Sequence, residues 1–139
     1  MSCTIKSLIY NQINVYYVSP LDINETTINS IDDITIAYLS WCSHNTIMII
    51  LKLHVNPNYT HQAYGTCLLK YAINKAIESH NFTMIELDDM SDNVWNLGKN
   101  IYINCGFRYK NEFPFPEMEL ILPINNMTSS FENMKLDSI

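Results

Sequence analysis

Glycine is scarce in this chain: three in 139 residues, at Gly65, Gly98 and Gly106. With glycines only there, neither G-x-x-x-x-G-K-S/T nor G-x-G-x-x-G can be written, which excludes the P-loop and the dinucleotide fingerprint. Basic residues are also few, eight Lys and Arg against fourteen Asp and Glu, for a net charge of −6. Phosphate backbones are held by clustered cations, so no nucleic-acid partner is expected. No uninterrupted apolar run reaches transmembrane length, so no membrane partner is expected either. Cys3, Cys42, Cys67 and Cys105 form no C-x-x-C pair and lie near no histidine cluster. Four reduced, mainly buried thiols are expected, with no metal site and no disulfide framework. The N-terminal "MSCTIKSLIYNQ" has one lysine and no small-residue cleavage site, so a cytoplasmic protein is expected.

What the chain does have is apolar periodicity. Its length and its 47% hydrophobic content suit one compact domain. Residues 1–122 carry the patterned segments, and 123–139 form a polar tail. Residues 5–18 read as one strand, or as two short ones around Asn11. Residues 19–33 are polar and offer at most a short helix. Residues 34–41 and 46–55 read as a hairpin around "CSHN", and the second strand is apolar on both faces, hence central. From Thr66 the apolar positions Leu68, Leu69, Ala72, Ile73, Ala76 and Ile77 fall at helical spacing up to His80. A strand from Phe82, a helix from Ser91 or Asp92 to Cys105, and strands in "FRYKNEF" and "EMELIL" complete the order. The expected fold class is α/β in the α+β sense: a mixed, mostly antiparallel sheet flanked by helices.

Between the long strand and the first long helix runs "THQAYG", residues 60 to 65. A loop that leaves a central strand and opens a helix presents unpaired N–H groups at the positive end of the helix dipole, so it can hold an anion. Gly65 lets the backbone approach a bulky ligand or take a positive φ. Taken alone, a glycine between a strand and a helix is more often a plain turn.

The wider pattern is more specific. Val55-Asn56-Pro57-Asn58-Tyr59, then Thr60 to Gly65, then Leu68-Leu69, and finally Tyr102-Ile103-Asn104-Cys105-Gly106-Phe107 follow one another in order and spacing. In this the chain resembles the GCN5-related N-acetyltransferase superfamily over about residues 34–122. That family joins V-x-P-x-Y/F to R/Q-x-x-G-x-G/A and a helix beginning L-L, and later has Y-x-x-x-G-F. The chain departs from the pattern at Thr60, where Arg or Gln is usual, and at Ala63, which replaces the first motif glycine. Trp95 and Gly98 stand where Asn and Ala are frequent, with Asn93 or Asn96 as alternatives.

The resemblance implies acetyl-CoA as co-substrate. Its pyrophosphate would lie on the amides of His61, Gln62, Ala63, Tyr64, Gly65 and Thr66, and its pantetheine arm beside Leu53, His54 and Val55. It implies direct attack by a primary amine in a ternary complex, with Tyr102 protonating the departing thiolate. The acceptor would be a polyamine, a protein lysine or N-terminus, or an amino sugar. Three groups can serve as base or hold the ammonium: His54, Glu86 and Asp88, of which His54 reads first as a hydrogen-bonded structural residue. A homodimer through "EMELIL" is compatible with the pattern. The rival reading is a non-catalytic binding module that keeps the fold.

Overall fold

The computed structural model of the chain describes residues 4–60, 62–88, 101–111 and 117–123. His61, residues 89–100 with Trp95 and Gly98, and the tail from residue 124 lie outside the described residues, as does the expected start of the second long helix.

The N-terminal segment forms two strands, β1 (Lys6–Tyr10) and β2 (Ile13–Val18). Asn11 and Gln12 between them have φ of 51° and 68°. Two successive left-handed residues make a turn whose twist matches that of the strands, which resolves the reading around Asn11 into a hairpin. The next hairpin joins β3 (Ala37–His44) to β4 (Ile47–Val55). Its turn is only Asn45 and Thr46, with Asn45 at φ 55°, and His44 pairs directly with Ile47. "CSHN" was expected as the turn; instead Cys42 to His44 remain in the ladder, because two residues suffice once asparagine accepts the left-handed region.

Seven strands form one sheet in the order β1-β2-β3-β4-β5-β7-β6, with β5 at Met84–Asp88, β6 at Arg108–Asn111 and β7 at Glu117–Ile121. Every pairing is antiparallel except β4 with β5. Crossing between those parallel strands needs a helix, and this is α2 (Tyr64–Ser79). It lays Leu68, Leu69, Ala72 and Ala76 on Ala37, Leu39, Met48, Ile50, Ile85 and Leu87, forming the main core. Burying Leu68 and Leu69 alone contributes about 1.5–3 kcal/mol each, well above any helix-propensity difference along α2. The other face of β2 and β3 is covered by residues 23–34, which include a 3-10 turn and the single-turn α1 (Ile31–Ile34). Ile23, Ile28, Ile31 and Ile34 pack there on Val15, Tyr17 and Tyr38. Of the residues expected in the second long helix, the described ones form α3 (Ile101–Asn104). Gly106 follows at φ 102°, in the left-handed C-terminal position its sequence context predicts.

Two expectations change. Helix α2 starts at Tyr64, two residues before Thr66, and Ala63 before it is left-handed, φ 65° and ψ 17°. Cys67 is disulfide-bonded, whereas Cys42 and Cys105 are free and half-buried. Four reduced thiols were expected from spacing, but a disulfide depends on proximity in space, which spacing does not report. Among the described residues no helix is long and apolar enough to cross a membrane.

A left-handed alanine costs about 1–2 kcal/mol, part of which glycine recovers. Ala63→Gly is expected to raise the thermal midpoint, with a gain of up to about 1 kcal/mol, and Ala63→Val to lower it. The order Gly, Ala, Val in thermal unfolding checks this.

Candidate active site

Strand β4 is longer than its partner. It pairs with β5 only from Ile47/Met84 to Ile50/Leu87, yet continues to Val55. At the point of parting, Trp41 faces Ile50 and Ser40 faces Lys52, so Leu51 is an extra residue with no partner across β3. This β-bulge bends the strand and increases its twist. Beyond it no described strand pairs with β4 on the β5 side, at the carboxyl ends where open α/β sheets bind ligands.

Backbone alternation fixes which groups face the gap. Asn56 N–H donates to Ile36 C=O at 2.9 Å, toward β3. By the antiparallel pattern His54 also points its amide toward β3, while Leu53 and Val55 point theirs toward the opposite edge, where no described strand pairs with them. An extended ligand can therefore hydrogen-bond β4 there as an added strand would.

The opposite wall comes from the loop. Asn56 side-chain oxygen accepts from Asn58 N–H at 3.0 Å, and Pro57 starts a 3-10 turn that ends the strand. The chain then enters α2, whose first intrahelical bond runs from Cys67 N–H to Ala63 C=O at 2.9 Å. The amides of Tyr64, Gly65 and Thr66 precede it and have no intrahelical acceptor. Ala63 provides no side-chain cap, and the first turn contains no acidic residue. A cleft of about 500 Å³ opens over these groups, lined by Val55, Tyr59, Thr60, Tyr64, Gly65 and Ile101 among others.

Gly65 has an ordinary helical φ, so the positive-φ alternative does not apply. A Cβ there would lie 3.5 Å from Val55 Cγ2, 3.6 Å from Ile101 Cδ1 and 4.0 Å from Leu53 Cδ2. These are ordinary van der Waals distances. The protein tolerates a methyl group at this position, but that group would fill the bottom of the cleft where β4, α2 and α3 meet.

The remaining sequence-derived residues fall as follows. Leu53 and Val55 face α2, while His54 faces the other side of the sheet beside Tyr38. Gln62 and Ala63 are exposed and Thr66 is half-buried, all at the helix mouth. Tyr102 is half-buried on α3, its ring 5.9 Å from that of Phe107, and its carbonyl accepts from Phe107 N–H at 2.9 Å. The α3 residue lining the cleft is Ile101. Glu86 is engaged by Lys110 Nζ at 2.9 Å, whereas Asp88 is exposed at the end of β5, opposite Glu117.

A further group was only partly anticipated. Behind the cleft, Tyr38 hydroxyl donates to Asp32 Oδ1 at 2.5 Å, and Lys52 Nζ lies 3.6 Å from Asp32 Oδ2 and 5.8 Å from the Tyr38 ring centre. The His54 ring packs on Tyr38 at 5.4 Å. The only sequence signal for this cluster is strand register, which sets Tyr38 opposite His54; Asp32 arrives from α1. The Tyr38 hydrogen bond, aided by Lys52 and His54, holds the Asp32 carboxyl below its ordinary pKa, while burial and Asp32 push the Tyr38 phenol up. A carboxyl depressed on folding contributes stability above its unfolded pKa of about 3.9, and loses it as pH falls through the folded value. The difference in thermal midpoint between the wild type and Asp32→Asn should therefore be present at pH 7 and shrink below about pH 4. A difference independent of pH would contradict it.

No known family model matches this sequence, and no curated protein matches it. The fold does match solved structures. The ribosomal-protein-S18-alanine N-acetyltransferase from Escherichia coli superposes with a TM-score of 0.63 at 14% identity, over 88% of this chain and 77% of that one. IAA acetyltransferase from Bacillus cereus gives 0.65 at 13% identity, over 87% and 100%. The paia N-acetyltransferase from Thermoplasma acidophilum, solved in complex with coenzyme A, gives 0.57 at 17% identity, over 79% and 61%. The divergence of β4 from β5, the bulge that begins it and the helix that closes it thus belong to a chain with the fold of the GCN5-related N-acetyltransferase superfamily.

Proposed function

We propose that the protein is an N-acetyltransferase that moves the acetyl group of acetyl-CoA to a primary amine by direct attack. The observation that carries this reading is the meeting of an unpaired β4 edge, the free amides of an acid-free helix start and a cleft whose bottom a Gly65 Cβ would fill. Those features suit a pantetheine arm on Leu53 and Val55, with its pyrophosphate on the amides of Tyr64 to Thr66. Hydrogen bonds from several amides to a charged phosphate are the strong kind, so lysine is not required. His61, Gln62 and Ala63 continue that cradle.

In the bound state the thioester carbonyl would accept from the outward Val55 amide, which then stabilises the oxyanion as the amine attacks. Tyr102 is assigned the proton for the departing thiolate, since a phenol retains its proton at neutral pH. Asp88, exposed at the carboxyl end of β5, is assigned the attraction of an incoming ammonium, with Glu86, paired to Lys110, beside it on the same face. A polyamine, a protein amine and an amino sugar all supply that group. A cytoplasmic setting is the one in which acetyl-CoA would be drawn on.

Acetyl-CoA titrated to millimolar concentration should raise the thermal midpoint, by RT ln(1 + [L]/Kd) in free energy. No shift would favour the non-catalytic module. Gly65→Ala is expected to leave the ligand-free midpoint unchanged or raise it, by up to about 1 kcal/mol for alanine inside a helix, yet abolish most of the acetyl-CoA shift. Free-thiol release with spermidine, a lysine-containing peptide and glucosamine 6-phosphate then identifies the acceptor class. Tyr102→Phe should lower turnover about 100-fold with the acetyl-CoA shift retained; unchanged turnover would remove Tyr102 from the mechanism.

A further inference from the structure

We propose that a second cavity, on the outer side of α2, receives the 3′-phosphate of the cofactor's adenosine, and that Lys70 there selects coenzyme A over its dephospho form; the inference rests on the acetyltransferase reading above. The cavity has a volume of about 420 Å³ and is lined by Ile5, Thr66, Lys70, Tyr71 and Asn74 among others. Ala63 and Thr66 line both this cavity and the cleft, so an occupant of one can continue into the other past the start of α2. Its size lies within the range of about 300–1,000 Å³ usual for small-molecule sites.

Thr66, Lys70 and Asn74 follow at intervals of four and stand one above the other on a single side of the helix. Leu68, Leu69, Ala72 and Ala76 take the side packed on the sheet. Tyr71, held edge-on against Tyr16 at 5.0 Å, and Ile5 add an apolar wall. Among the described residues no acid lines the cavity.

Lys70 distinguishes this place from a plain groove along a helix. The other basic residues among those described are all committed to carboxylates: Lys6 to Asp22, Lys52 to Asp32, Lys75 to Glu78, Arg108 to Glu119 and Lys110 to Glu86. A lysine on a solvated helix face is supported by an acid three or four residues away. At that spacing Lys70 has Thr66, Cys67, Ile73 and Asn74. In a chain of net charge −6, its isolation at the margin of the cleft favours an anion from outside the chain.

The helix start explains why a side chain is needed here. The amides of Tyr64 to Thr66 can hold a pyrophosphate, but from Cys67 onward the N–H groups are used inside α2. A phosphomonoester lying beyond them carries a charge of about −1.5 to −2 at neutral pH and meets no free amide, so its partner must be a cation. Lys70 lies five residues past Gly65, about 7.5 Å along the helix axis. The 5′ and 3′ phosphates of one nucleotide are separated by a single ribose, a span that the lysine stem can match.

The test titrates the full chain with acetyl-CoA and with acetyl-dephospho-CoA at low ionic strength, by thermal shift and calorimetry, in wild type, Lys70→Met and Lys75→Met. Lys75, further along α2 and paired with Glu78, does not line the cavity and controls for net charge. The wild type is expected to bind acetyl-CoA about tenfold or more tightly than the dephospho form, the effect of one charge-assisted hydrogen bond. Adenosine 3′,5′-bisphosphate should likewise displace acetyl-CoA better than ADP does. Lys70→Met should remove the preference by weakening acetyl-CoA alone, and Lys75→Met should keep it. Equal affinity of the wild type for the two cofactors would overturn the proposal. So would a preference that survives in Lys70→Met, equal weakening of both cofactors by that variant, or loss of the preference in Lys75→Met. Absence of a shift with either cofactor in the wild type would instead defeat the acetyltransferase reading, and the role of Lys70 with it.

Discussion

The parting of β4 from β5 after Ile50 is the constraint on which the rest of the site depends. Parallel strands in a closed ladder leave no backbone group for a ligand, and a buried unpaired edge costs too much to persist without a use. Here one extra residue, Leu51, ends the pairing, and the strand runs on for four residues with Leu53 and Val55 turned outward. Helix α2 spans the crossover between the same two strands, so its start necessarily lies at the mouth of the gap. Edge amides and helix-start amides therefore converge by topology, without any charged side chain in the wall formed by Val55, Tyr59, Thr60 and Gly65.

That economy explains a composition otherwise poor in phosphate-binding residues. Under the proposed function, a net charge of −6 and a cleft lined by apolar and hydroxyl groups would leave anion binding there to backbone dipoles. Ala63 sharpens the point. It occupies a left-handed position at which glycine would be unstrained, and the fold retains that geometry through the packing of Leu68 and Leu69 one turn further on.

Much of this was legible in the sequence. Apolar spacing located α2 and the central β4, because a period of 3.6 or a doubly apolar strand reports burial directly. The order of Val55, Pro57, Tyr59, Gly65 and the Leu pair identified the strand-loop-helix. What spacing could not convey was pairing in space. The bulge at Leu51 is invisible in a string of "IILKLHV", and so is the choice of Asn45-Thr46 over "CSHN" as the turn. The commitment of Glu86 to Lys110 depends on strands brought together by the sheet order, and the disulfide at Cys67 on proximity in space. His54 illustrates the limit most clearly: alternation gave its face, but only the folded structure shows its ring packed on Tyr38 beside Asp32 with Nε2 unpaired.

Amide hydrogen exchange with and without acetyl-CoA tests the central claim most directly. The account predicts that the cofactor slows exchange at Leu53 and Val55 and at Tyr64, Gly65 and Thr66, while the His54 amide, already turned toward β3, changes little. Protection elsewhere with none at Leu53, Val55 and the first turn of α2 would contradict it.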